Sequence, residues 1–72
     1  MKNRLKVLRA ERGWTQEELS KQLGVSRQAV NALETDKHSP SLDLAYRISA
    51  VFDISVEQIF ENEHARPAGT QI

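Results

Sequence analysis

The feature that most narrows what this chain can fold into is the joint Leu23-Gly24-Val25-Ser26. It separates two short segments whose apolar residues recur with helical spacing. Gly24 stands where a helix stops in a left-handed residue. Ser26 is an N-cap residue for the helix that follows. Only Val25 lies between the stop and the new start. So short a joint sets two helices at a large crossing angle and leaves no length for them to lie antiparallel. The second helix therefore projects, and its outer face is the place to look for a role.

The rest of the chain is punctuated in the same way. Residues 3–12 carry Leu5 and Leu8 on one face, and Gly13 ends that helix. Thr15 caps a second helix that runs to Leu23. Glu18 has capping-box spacing, and Trp14 and Leu19 have the spacing of a hydrophobic staple, which places Trp14 in the core or at its edge. Val25 and Val30 repeat the staple. The third helix spans residues 27–35 with Ala29, Val30 and Leu33 inward. After the loop Asp36-Lys37-His38-Ser39-Pro40, Ser41 caps a fourth helix with Leu44, Ala45, Ile48, Val51 and Phe52 inward. Ser55 with Gln58, and Ile54 with Ile59, predict a fifth over residues 56–62. No segment alternates as a strand does. The expected fold is all-α: a compact five-helix bundle within residues 1–62, with a helix-turn-helix formed by helices 2 and 3. Residues 63–72 contain Arg66-Pro67-Ala68-Gly69 and no period, and are expected to form a flexible tail.

Composition removes several function classes. With 72 residues the chain holds one small domain. It has no Cys, so disulfides, thiol catalysis and Cys-based zinc sites are out. His38 and His64 lack partners at ligand spacing, and no nucleophile–base pair or Gly-rich phosphate loop is present. The expectation is a protein without metal or cofactor that is not an enzyme. No apolar run is long enough for a membrane span, so a cytoplasmic location is expected. The formal net charge is +0 but unevenly spread. Before Pro40, eight basic residues face five acidic ones, or +3; after it, two face five, or −3. A polyanion would meet the first half.

The outward residues of helix 3 are Arg27, Gln28, Asn31, Ala32 and Thr35. Spacings of four make them one stripe. Arg pairs bidentately with guanine, Gln and Asn with adenine, and Ala or Thr methyls touch the thymine methyl. No carboxylate interrupts the stripe. Arg27, Gln28, Asn31 and Ala32 are therefore the candidate base-reading residues of a double-stranded DNA binder. Backbone amides at the starts of helices 2 and 3 suit phosphates. Gln16, Ser26, Thr35, Lys37, His38 and Ser39 are the candidate phosphate contacts around them, fixing position and not sequence.

Residues 5–60 resemble the Cro and phage-repressor type of helix-turn-helix regulator, the XRE family. The matching residues are Leu8-Arg9, Thr15-Gln16-Glu17-Glu18-Leu19, Leu23-Gly24-Val25-Ser26, Val30, Leu33-Glu34, Pro40-Ser41-Leu42 and Leu44. The resemblance implies a compact five-helix bundle, and an ion pair of Arg9 with Glu34 that neutralises a carboxylate near DNA. It implies phosphate contacts at Gln16 and Ser26, and base contacts at Arg27, Gln28 and Asn31. Asp36 departs from the Gly or Asn common after helix 3, although Asp tolerates a left-handed backbone better than most residues.

Proteins of this kind bind as twofold dimers across half-sites about 34–36 Å apart. Val56, Ile59 and Phe60 are the candidate homodimer patch, or alternatively close the core of one chain. The leading expectation is a sequence-specific transcriptional regulator, a dimeric repressor reading a palindromic operator with helix 3. The alternative is an antitoxin or protein-binding module that engages a partner such as a toxin through helix 5 or the tail.

Overall fold

A computed structural model describes residues 2–61. Five helices follow one another: α1 (Leu5–Glu11), α2 (Gln16–Leu23), α3 (Arg27–Glu34), α4 (Leu42–Phe52) and α5 (Val56–Ile59). Three starts are closed by a side chain that accepts a backbone N–H: Thr15 from Glu18, Ser26 from Ala29 and Ser41 from Leu44. These are the expected caps. The box expected at α2 is only half formed, because the Thr15 hydroxyl donates to Glu18 Oε1 at 3.3 Å and the carboxylate does not reach back to the backbone. At α5, Gln58 Oε1 accepts from the Ser55 amide at 3.4 Å.

Each of the first four helices is followed by a residue of positive φ, Gly13 (φ 69°) after α1 among them. Gly24 closes α2 at φ 71°, with its N–H and that of Val25 on the Ser20 carbonyl. A methyl group in its place would suffer the left-handed strain that Gly avoids. Asp53 closes α4 at φ 55°, and Asp36 just after α3 sits at φ 63°, the tolerance expected of Asp.

The core gathers one stripe from every helix: Leu5 and Leu8, Leu19 and Leu23, Val30 and Leu33, Ala45, Ile48 and Phe52, and Ile59 followed by Phe60. Trp14, Val25, Leu44, Val51, Ile54 and Val56 pack against it from the edge. The Trp14 ring lies 5.7 Å from that of Phe52, and the Arg12 guanidinium sits 5.4 Å from both ring centres. Trp14 is thus part of the packed edge, where the staple spacing put it.

The fifth helix is shorter than expected. It ends at Ile59, and Phe60 turns extended (φ −111°, ψ 130°) to form an antiparallel bridge with Asn3. The Arg4 N–H donates to the Ile59 carbonyl at 2.9 Å, and the Glu61 N–H to the Lys2 carbonyl at 2.8 Å. Tertiary pairing thus satisfies backbone groups that a longer helix would have used internally. Ile59 and Phe60, two of the residues offered for the dimer patch, are 1% and 4% exposed, the arrangement of the alternative in which they close the core of one chain. Val56 is half-buried against the same core. The expected tail, residues 63–72, and His64 lie outside the described residues.

Among the described residues no helix is long and apolar enough to cross a membrane. None of their acidic and His side chains gather into a group of three or more that could hold a metal ion.

Candidate nucleic-acid interface

The joint between α2 and α3 is held from both sides. Gly24 and Val25 close α2 as described above, and Ser26 opens α3 by accepting the Ala29 N–H at 3.1 Å. From α4, Arg47 Nη1 donates to the Leu23 carbonyl at 3.0 Å while its Nη2 pairs with Asp43 at 2.6 Å. The last turn of α2 is thereby tied to the bundle, and α3 leaves it at a fixed orientation. Val30 and Leu33 anchor α3 in the core.

With that side buried, Arg27, Gln28, Asn31 and Thr35 are exposed and Ala32 is half-buried. No acidic side chain stands among them. Ala32 lines a groove between α3 and the following loop together with His38, Ser39 and Pro40. Its carbonyl accepts from the amides of Lys37 at 2.9 Å and His38 at 3.4 Å, which folds the loop back beside the end of α3. Ser26, Lys37, His38 and Ser39 are exposed.

Two residues expected at phosphates also make hydrogen bonds within the protein. Thr35 donates its hydroxyl proton to the Asn31 carbonyl at 2.8 Å. Gln16 Nε2 donates to Glu34 Oε1 at 3.1 Å and to Asn31 Oδ1 at 3.3 Å. A phosphate accepts hydrogen bonds and donates none. The polar hydrogens that these two side chains would bring to it are already engaged within the protein.

Glu34 is the hub behind this surface. Arg9 Nε donates to its Oε2 at 2.7 Å and Arg9 Nη2 to its Oε1 at 3.1 Å, a bidentate pair between α1 and α3. Arg9 Nη1 also donates to the Trp14 carbonyl at 2.8 Å. The hydrogen bonds to Glu34 raise the Arg9 pKa above its ordinary value against the opposing effect of burial, and the Glu34 charge adds to the rise. Asn3 Nδ2 reaches the Leu33 carbonyl at 2.7 Å, a second tie from the start of the chain to the end of α3. Neither the Asn3 contact nor the link from Gln16 to Asn31 could be foreseen from spacing, since both join residues far apart in sequence.

The comparisons with known proteins agree with this geometry. A helix-turn-helix family profile matches residues 5–59. The chain belongs to the Cro and phage-repressor type of helix-turn-helix regulators, the XRE family. An HTH-type transcriptional regulator of Methanocaldococcus jannaschii is 52% identical to it over 60 residues, which are 83% of this chain and 91% of the relative. The N-terminal DNA-binding domain of SinR from Bacillus subtilis superimposes with a TM-score of 0.72 at 30% identity, covering 86% of this chain and 91% of that domain. SinR in complex with DNA gives 0.68 at 33% identity, covering 75% and 87%. Among XRE proteins, then, this chain has the family bundle of five helices.

Proposed function

We propose that this protein is a sequence-specific DNA-binding transcriptional repressor that reads a palindromic operator as a homodimer. The observation that carries the reading is the outer face of α3. It is exposed, free of carboxylates, and presents Arg27, Gln28 and Asn31, side chains whose hydrogen-bonding groups match base edges in the major groove. Ala32 adds a methyl group at the margin. Ser26, Lys37, His38 and Ser39 flank this face and take phosphates, with the first amides of α2 and α3. SinR, of similar fold, has been crystallised with DNA. Two copies place their α3 helices about one turn of DNA apart, which makes the operator symmetric. Occupying such a site blocks transcription, hence repression. The other reading, an antitoxin or protein-binding module acting through helix 5 or the tail, has less support at helix 5, where Ile59 and the Phe60 that follows are buried inside the chain.

The test compares two substitutions on the enriched duplex from a random pool. Gln28→Ala is expected to cost about 1–3 kcal/mol at the preferred site and to relax choice at one base pair. Lys37→Ala is expected to weaken binding to all duplexes alike and to reduce the slope of log affinity against log salt by about one unit. Identical behaviour of the two variants, or indifference of the parent protein to sequence, would refute the assignment.

A further inference from the structure

We propose that the outer face of α4 is the surface on which two copies of this chain pair. Their α4 helices lie antiparallel across a twofold axis, with Leu42 and Tyr46 at the contact and Asp43 and Arg47 setting its register. This rests on the homodimer reading and names the surface that such a dimer uses.

Three large apolar side chains stand exposed among the described residues: Val7, Leu42 and Tyr46. Val7 has no other large apolar residue one turn away on α1. Leu42 and Tyr46 are four apart on α4, 69% and 61% exposed, and form one stripe that Ala50 extends. Ala45, Ile48 and Phe52 hold the opposite side of α4 in the core, so the stripe faces outward. It begins at the first residue of α4, directly after the loop that stands beside α3. Copies joined here bring their two loops close to the axis, where a symmetric operator has its centre.

A twofold contact has to be complementary to itself. The stripe is flanked by Asp43 and Arg47, both exposed and paired at 2.6 Å within one chain. Parallel helices would set Asp43 against the partner's Asp43 and Arg47 against the partner's Arg47. Antiparallel helices crossing at these two turns set Asp43 beside the partner's Arg47, and Leu42 beside the partner's Tyr46. The charges then alternate around the axis, and the Tyr46 ring covers the partner's Leu42. A second copy therefore answers the apolar stripe and both charges at once, whereas an acidic or a basic partner answers only one of the charges. The face of one 11-residue helix supplies fewer than the roughly 20–30 residues a side of a stable interface. The copies thus associate weakly when free and firmly on a duplex that holds both.

The experiment follows the mass of the full chain by sedimentation equilibrium, from dilute to near-millimolar concentration, and titrates the duplex enriched from a random pool and its isolated half-site. The parent protein is expected to gain mass with concentration and to fill the whole site cooperatively. Leu42→Ser combined with Tyr46→Ser removes side chains that are exposed in one chain, so the melting temperature is expected to hold. The dimer dissociation constant should rise by about tenfold or more, and affinity for the half-site should stay at the parent level. Asp43→Arg leaves only positive charges around the axis, and Arg47→Glu only negative ones. Each alone is expected to stay monomeric, and their equimolar mixture to form a heterodimer. Thermal melting checks each fold. Should Arg47→Glu, which gives up the bond to the Leu23 carbonyl, fail to fold, the Leu42 and Tyr46 variant decides alone. That variant, folded and pairing as the parent does, overturns the proposal. So does a mixture of folded charge variants that pairs no better than either one. In both cases the copies meet elsewhere and the homodimer reading stands. A parent protein that gains no mass and binds without cooperativity overturns the homodimer reading and this proposal together, and leaves the α4 face to a different partner.

Discussion

Glu34 carries its charge on a side chain that is 3% exposed, directly behind a helix face assigned to a polyanion. Unpaired, it would be costly to bury and would repel phosphates. The bidentate bond from Arg9 removes both problems, and the raised pKa of Arg9 keeps that partner charged. The sign follows from the direction: a cation whose pKa rises on folding contributes its full stabilisation below its ordinary pKa and loses it only above. No variation from Arg9 is expected near neutral pH. Removing either partner strands the other. Arg9 is 16% exposed and keeps its bond to the Trp14 carbonyl, so Glu34→Ala should cost about 3 kcal/mol. Arg9→Met leaves the more buried charge and should cost more, toward about 5 kcal/mol. Urea unfolding of both and of the double variant checks this. The double variant should lose less than the sum of the singles, and additivity would deny the coupling. The pair itself was implied by resemblance. The chain of amides from Glu34 through Gln16 to Asn31 was not legible, because nothing in the sequence tells which end of a Gln faces which neighbour.

Helix starts were legible because capping is local. A Ser or Thr oxygen and an amide three residues later lie in the same few residues, and Thr15, Ser26 and Ser41 all cap in that way. The end of α5 was not, because Phe60 leaves the helix to pair with Asn3, more than fifty residues earlier. Two chemically equal caps separate structure from function. Ser41→Ala and Ser26→Ala each remove one side-chain acceptor from a helix start and should each cost about 1 kcal/mol of stability. Ser26 accepts with its oxygen and has a hydroxyl hydrogen to offer a phosphate, whereas Ser41 opens α4. After thermal melting has established equal destabilisation, duplex titration should show weakened binding for Ser26→Ala alone, by a similar factor on every sequence. Equal loss of binding in both variants would mean that the caps act only through the fold.

At the scale of the molecule, the charge division visible in the sequence is partly undone in space. Arg27 and Lys37 lie on or beside the α3 face, but at the bridge between the two ends of the described chain Lys2 and Arg4 stand with Glu57 and Glu61. That bridge draws Ile59 and Phe60 inward and makes the first residues part of the core wall. The sequence left open whether these apolar residues close one chain or join two, since an amphipathic stripe reads the same against either partner; the contact with Asn3 favours closure of one chain. Phe60→Ala should therefore act on folding. Deleting a buried Phe side chain costs about 3–5 kcal/mol, a large share of the roughly 5 kcal/mol that a domain near the lower bound of stability possesses. A fall in melting temperature of many degrees is expected. Sedimentation at a low temperature, where the variant is still folded, should give the same dependence of mass on concentration as the parent protein. A dimer weakened at constant melting temperature would instead place Phe60 between copies, and the proposed pairing of two α3 helices on an operator would then depend on this end of the chain.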